Sequence, residues 1–239
     1  MRYLLWFLLK LRLYHFLFPT RSRLAKKYLY GAGIEIGALH LPLIVPRGVS
    51  VRYVDHAPIE HLRNHYSDLK IFDLVPIDII ENGETLDSIA PESQNFIIAN
   101  HFFEHCEDPI RTLTTHLSRL KPNGILYLAV PDKAKTFDKR RPVTPLEHVI
   151  RDFNEGPKWS RLQHFREWAR LVDCVFEEKI EERARELMLT GYSIHFHVWR
   201  KTDFDELLQY IRTAMNSTFR IRETAYSRNE FIFILQKEL

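Results

Sequence analysis

Between residues 96 and 132 two apolar runs bracket a helical pattern. Phe96 to Ala99 is a short apolar run, residues 101–108 are polar, and Ile110, Leu113, Leu117 and Leu120 recur at the spacing of one helix face. Lys121-Pro-Asn-Gly124 stops that helix before a second apolar run at residues 125–130. The pattern predicts a βαβ unit. Upstream, Gly33-Ile-Glu-Ile-Gly37 reads as a buried strand ending in glycine, Val51-Arg-Tyr-Val-Asp55 as a second strand ending in an acid, and residues 73–80 as a third. Residues 92–95 read as a structural turn before the fourth strand, and residues 219–236 as the last strands. Ligands in open α/β sheets sit beyond the carboxyl ends of the strands, so Asn100, His101, Glu104 and Asp132 fall where chemistry is expected. A glycine-ended strand followed about twenty residues on by a strand-end acid is also a nucleotide-binding pattern.

Residues 133–200 separate the fifth strand from the next helix. A crossover needs only about a dozen residues, so this stretch predicts an insertion with helices of its own. Thr144-Pro-Leu-Glu147 supplies an N-cap, a proline at the first helical position and a first-turn acid, predicting a helix to Phe153 that Asn154-Glu-Gly-Pro157 ends. Residues 160–185 carry more helical patterning, and Thr202 is the expected N-cap of a helix over residues 203–211. The domain division is therefore residues 1–30, then 31–239 with a cap at 133–200.

Residues 1–19 are rich in Leu, Phe, Trp and Tyr, but Lys10, Arg12 and His15 interrupt them. A spanning helix needs about twenty mostly apolar residues, and a secretory signal needs a small-residue cleavage site, so neither is expected. Two alternatives follow. The segment lies on a membrane surface, helped by Arg21, Arg23, Lys26 and Lys27, or it packs on the core or a homodimer partner.

Composition adds bounds. At 239 residues and 45% hydrophobic content the chain can bury a full core, one domain plus an elaboration. Cys106 and Cys174 do not make a disulfide framework, which fits a cytoplasmic enzyme. A formal charge of +3 is too small to imply nucleic acid as a partner.

The run Asn100-His-Phe-Phe-Glu-His105, Glu107-Asp-Pro109, Leu120-Lys-Pro-Asn-Gly124 and Val130-Pro-Asp132 resembles the fourth and fifth motifs of class I S-adenosylmethionine-dependent methyltransferases. Similarity is greatest to the small-molecule group called methyltransferase type 11. The resemblance implies an α/β, Rossmann-like fold: a mostly parallel seven-stranded sheet with helices on both faces and an inserted helical cap. It implies S-adenosyl-L-methionine as cofactor, with Glu35, Gly37 and Ala38 at its methionine end, Asp55 on the ribose, Asp78 and Ile79 at the adenine, and Asn100 nearby. One departure is visible. Members usually carry two or three glycines in the first loop, whereas Gly37 is followed here by Ala38-Leu-His-Leu-Pro42.

Methyl transfer to a hydroxyl requires alignment and removal of a proton. The candidate bases are His105 and His148, with His101 beside them and Asp132 as the orienting acid. Arg140, Arg141, His164, His195 and His197 are the candidate acceptor-binding residues, because aromatics and hydrogen-bonding groups suit a carbohydrate or another small polyol and paired arginines suit an anion on it. His101-Phe-Phe-Glu104-His105 also fits the H-x-x-E-H pattern of inverted zinc proteases, and a zinc hydrolase is the remote alternative. That motif belongs inside a long helix, whereas this one sits at a strand-to-helix junction with Pro109 close behind, and the expectation is a chain without a metal. A non-catalytic scaffold of the same fold at a membrane-associated glycan or lipid pathway is the other alternative.

Overall fold

The computed structural model describes residues 18–65 and 72–238. Seven strands form one sheet: β1 (Ala32–Ile36), β2 (Ser50–Asp55), β3 (Ile79–Ile80), β4 (Gln94–Asn100), β5 (Leu120–Pro131), β6 (Phe219–Ser227) and β7 (Glu230–Lys237). Their order is β3-β2-β1-β4-β5-β7-β6. All pairs are parallel except β5 with β7 and β6 with β7.

Strands covered on both faces read as continuous apolar runs, and the alternation of side chains then divides each run between two cores. Ile97 and Ala99 of β4 join Leu126 and Leu128 of β5 on one face, under Leu113 and Leu117 of α3 (Pro109–Arg119) and Phe204 and Leu208 of α7 (Lys201–Ala214). Phe96 and Ile98 join Ile125 and Tyr127 on the other, under Leu24 and Ala25 of α1 (Pro19–Tyr28). Gly33 lets β1 lie this close to β4, since a Cβ there would sit 2.3 Å from the Phe96 carbonyl.

The edge of the sheet departs from expectation. Of residues 73–80 only Ile79 and Ile80 pair as strand. Pro76 offers no N–H to a ladder, and none of residues 73–80 is buried, so the segment before Ile79 is tied to its neighbours by isolated bonds such as Val75 N–H to the Leu39 carbonyl at 2.8 Å and not by a ladder. A short α2 (Ile59–His65) precedes it.

The insertion is helical, with α4 (Leu146–Glu155), α5 (Arg161–Leu171) and α6 (Ile180–Leu189). Phe165, Trp168, Ala184, Leu187, Ile194 and Phe196 give it a small core of its own. Gly156 ends α4 at φ 82. Two caps differ from those expected. Thr144 does not cap α4; its hydroxyl accepts from the Val198 N–H at 3.0 Å and ties the return segment to the cap. α7 starts two residues earlier than the expected helix, where Asp203 accepts from the Arg200 N–H at 2.8 Å, so Thr202 is inside the helix.

Of the amino-terminal segment, residues 1–17 lie outside the described residues. Residues 19–28 pack on the core as α1, with Leu24 and Ala25 fully buried. Three of the four cations read as a lipid-facing run are engaged within the fold, Arg21 with Glu230 and Arg23 and Lys27 with Glu223, while Lys26 is exposed. Among the described residues no helix is long and apolar enough to cross a membrane.

Candidate active site

The sheet order reverses between β1 and β4, and there the carboxyl ends of neighbouring strands diverge into a crevice. A cavity of about 650 Å³ fills it. The ends of β1, β2 and β4 line one part of it, and residues 101–107 with the cap line the other.

In the strand part several polar groups have no partner. Gly37 has φ 63, and a Cβ built there meets no atom within 4 Å, so the loop after β1 offers open backbone to a ligand. Ala38 lines the cavity beside it. Asp55 is 6% exposed; its Oδ1 accepts from the His56 N–H at 2.8 Å, whereas Oδ2 is buried without a hydrogen bond. Asn100 points into the same space with both side-chain atoms buried and unpaired. Buried polar atoms are nearly always satisfied, so three orphans around one cavity fit a ligand with hydroxyl and amine groups. Glu35, Gly37, Ala38, Asp55 and Asn100 are thus brought together.

Glu35 carries a proton linkage. Its carboxyl oxygens lie 2.9 and 3.1 Å from the Leu43 N–H, yet burial pushes its pKa up to about 8. The folded chain therefore holds a proton that the unfolded chain releases near 4.5, and the stability this gives is lost as pH rises through that window to about 8. Glu35→Gln removes the linkage. We expect the variant to melt higher than the wild type at pH above about 8, the difference shrinking toward pH 5, while its affinity for S-adenosylhomocysteine falls; melting curves that stay parallel across the range would reject the raised pKa.

Asp78 and Ile79 lie elsewhere. Asp78 is exposed and its Oδ2 accepts from the Tyr53 N–H of β2 at 2.8 Å, so it pins the sheet edge, and neither residue lines the cavity. Asn82 and Glu84, in the turn after β3, line it instead. Burial lifts Glu84 to about 7. The Asn82-Gly83 turn dipeptide directly after the strand was the available signal.

In the other part, His101 has φ 51 and its Nε2 lies 2.7 Å from Glu230 Oε2. Arg21 bonds the same carboxylate, making a chain Arg21–Glu230–His101 from α1 to the cavity. Burial would raise Glu230, but the hydrogen bonds from His101 and Arg21 hold it below the usual carboxylate range. His105 lies on the 3₁₀ turn Phe103–His105, with Nδ1 2.9 Å from the Ile194 carbonyl and 3.0 Å from Ser193 Oγ. Burial drives its pKa down to about 3. Glu104 beside it is fully buried with neither oxygen hydrogen-bonded, Oε1 lying 3.5 Å from His101 Nδ1, and burial raises its pKa.

The remaining expected residues do not reach the cavity. Asp132 accepts from the Ala134 N–H at 3.0 Å and caps a 3₁₀ turn, which takes it out of the orienting role. Arg140 is exposed and points to Cys174 Sγ. Arg141 is buried between Asp138 Oδ1 at 2.9 Å and Glu167 Oε1 at 2.7 Å, leaving it no free fork for an acceptor's anion. His195 gives its Nδ1 to Asp138 Oδ2 at 2.7 Å. His148, His164 and His197 gather behind the wall. The cap side chains that do line the cavity are Arg161, Phe165, Tyr192, Ser193 and Phe196, of which sequence reasoning singled out none.

Residues 9–209 match the methyltransferase domain family. No curated protein matches the sequence. Among solved structures, a SAM-dependent methyltransferase from Aquifex aeolicus is 10% identical with a TM-score of 0.50, over 95% of this chain and 93% of its own. A Rhodobacter sphaeroides protein provisionally named a Zn-dependent alcohol dehydrogenase is 15% identical with a TM-score of 0.54, over 92% and 89%. At these identities the likeness is one of fold. The family match spans most of the chain, and with the strand order and the unpaired polar groups around Gly37 it leads to one statement: the chain belongs to the methyltransferase domain family, with the class I, S-adenosylmethionine-dependent fold.

Proposed function

We propose that the chain methylates a hydroxyl of a small polar acceptor, a sugar, glycan precursor or similar polyol, using S-adenosylmethionine. The observation that carries this reading is one cavity with two unlike parts: unpaired Asp55 and Asn100 atoms around an open glycine loop, and His101, His105, Glu107, Arg161, Tyr192 and Ser193 across from them. Bound S-adenosylmethionine supplies an electrophilic methyl group on a sulfonium. Asp55 Oδ2 would hold the ribose diol, Glu35 and Gly37 the amino-acid end, and Asn100 a polar group between them. His105, neutral with its Nδ1 bonded to Ile194 O, has Nε2 as the lone pair that takes the acceptor's proton. Tyr192, Ser193, Glu107 and Arg161 offer the donors and acceptors that orient a polyol.

Calorimetry and an acceptor screen test it together. Asp55→Ala is expected to weaken S-adenosylhomocysteine binding by about 1 to 3 kcal/mol, roughly 5- to 150-fold, the usual loss for a charged hydrogen-bond partner. Unchanged affinity would reject Asp55 as the ribose ligand. Labelled cofactor presented with candidate polyols, read by mass, should give a methylated product; tight cofactor binding with no turnover on any acceptor would favour a scaffold.

A further inference from the structure

Three histidines and an aspartate from separate parts of the cap converge behind the cavity wall. His148 and Asp152 stand one turn apart on α4, His164 comes from α5, and His197 from the segment that returns to the sheet. One ligand atom of each lies within 4.8 Å of all the others. His148 Nε2 is 3.0 Å from His164 Nε2 and 3.3 Å from Asp152 Oδ2, and His197 Nε2 is 3.7 Å from that same oxygen. Donors about 2.0 to 2.1 Å from a tetrahedral zinc stand roughly 3.3 Å from one another, and the three separations bracket that edge.

The cluster does not satisfy itself. Two neutral imidazoles at 3.0 Å share one N–H···N hydrogen bond, which occupies His148 Nε2 and leaves it no second proton for Asp152 Oδ2 beside it. Asp152 is 0% exposed and its Oδ2 has no hydrogen bond, and His197 Nδ1 is also buried and unpaired. A buried carboxylate oxygen without a donor is costly, so it is expected to coordinate a metal or meet a charge. Around the cluster, groups already fix these side chains: Ser160 Oγ donates to Asp152 Oδ1 at 2.9 Å, and the Trp199 ring stacks on His197. Such outer contacts orient metal ligands.

We propose that His148, Asp152, His164 and His197 bind one divalent transition-metal ion, zinc by its donor set, and that the ion ties α4, α5 and the return segment into one cap. Three imidazoles and one carboxylate suit zinc, whereas magnesium and calcium take mostly oxygen. Four protein donors complete a tetrahedron and leave no open position, the arrangement of a structural ion. This departs from the expectation of a metal-free chain, and it does not depend on which acceptor is methylated.

The test uses the full chain with its affinity tag removed, prepared with zinc in the medium, dialysed and analysed by mass spectrometry for metals. About one zinc per chain is expected. Asp152→Ala and His164→Ala should lose most of it, while His105→Ala, which breaks the neighbouring Glu104, His105 and His195 group, should keep it. Circular dichroism checks that the variants fold. Should they not, the wild type decides alone: chelator-stripped protein should melt lower, regain its transition with zinc but not with magnesium, and take up cobalt with the intense visible absorption of a tetrahedral site. A stripped chain that does not compete for zinc with a chromophoric chelator would overturn the proposal. So would zinc kept by Asp152→Ala and lost by His105→Ala.

Discussion

His105→Ala is expected to lower methyl transfer by a factor of about ten to a hundred, the low end of what removing a general base costs because a ring held at about 3 takes a proton weakly, while leaving S-adenosylhomocysteine affinity nearly unchanged. His105 lines the cavity but lies away from Asp55 and the glycine loop, so the two readouts should separate. Its Nδ1–H donates to the Ile194 carbonyl, which fixes the tautomer with the lone pair on Nε2. Because burial holds its pKa down at about 3, the ring stays neutral at every working pH, and no acid limb from His105 should appear above about pH 5. His101→Ala is the comparison. That substitution removes one partner of Glu230 and leaves Arg21 alone on a buried carboxylate, so it should lower stability as well as turnover. Full turnover in His105→Ala on an identified acceptor would move the base to His101.

How much of this the sequence carried depends on whether a residue's partner lies near it in the chain. The cores were legible because period-2 and helical spacing are local: Phe96 and Ile98 fall on one face of β4, Ile97 and Ala99 on the other. Glu35, Gly37, Asp55 and Asn100 were legible because strand ends meet at one edge. Asp132 shares that strand-end position, yet it is spent on the Ala134 N–H, and Asp78, expected near the end of the third strand, stands just before β3 and is spent on the Tyr53 N–H. Whether a strand-end acid faces the cavity or its own turn is set by backbone direction beyond the strand, which spacing does not report. The gathering of His148, Asp152, His164 and His197 was illegible for a different reason: only the pair one turn apart on α4 is local, and the other two come from elsewhere in the cap. Glu230 was within reach. An acid at the head of the apolar run Phe-Ile-Phe-Ile-Leu must find a cation once buried, and Arg21 in the basic run after Pro19 was a candidate.

Arg141→Ala should reduce folding stability by about 3 to 5 kcal/mol, as expected when one partner of a buried ion pair is removed and the other stays behind. The Arg141 side chain is 1% exposed and that of Asp138 2%, with Nη1 donating to Oδ1 at 2.9 Å. Glu167 is the more exposed partner and adds little. Asp138 also receives His195 Nδ1, so this carboxylate joins the turn after β5 to the return segment of the cap. Burial alone would raise the pKa of Asp138, but the bonds from His195 and Arg141 hold it below the ordinary range. The stability it contributes is therefore present above the unfolded value near 3.8 and lost as pH falls through the lower folded value, and Arg141→Ala should shift this acid loss upward in pH. Urea midpoints measured for Arg141→Ala and Arg140→Ala separate the roles, since exposed Arg140 should change stability by no more than about 0.5 kcal/mol. A wild-type midpoint in Arg141→Ala together with lost turnover would return Arg141 to the acceptor, because a side chain whose removal leaves the fold intact is not needed to neutralise Asp138.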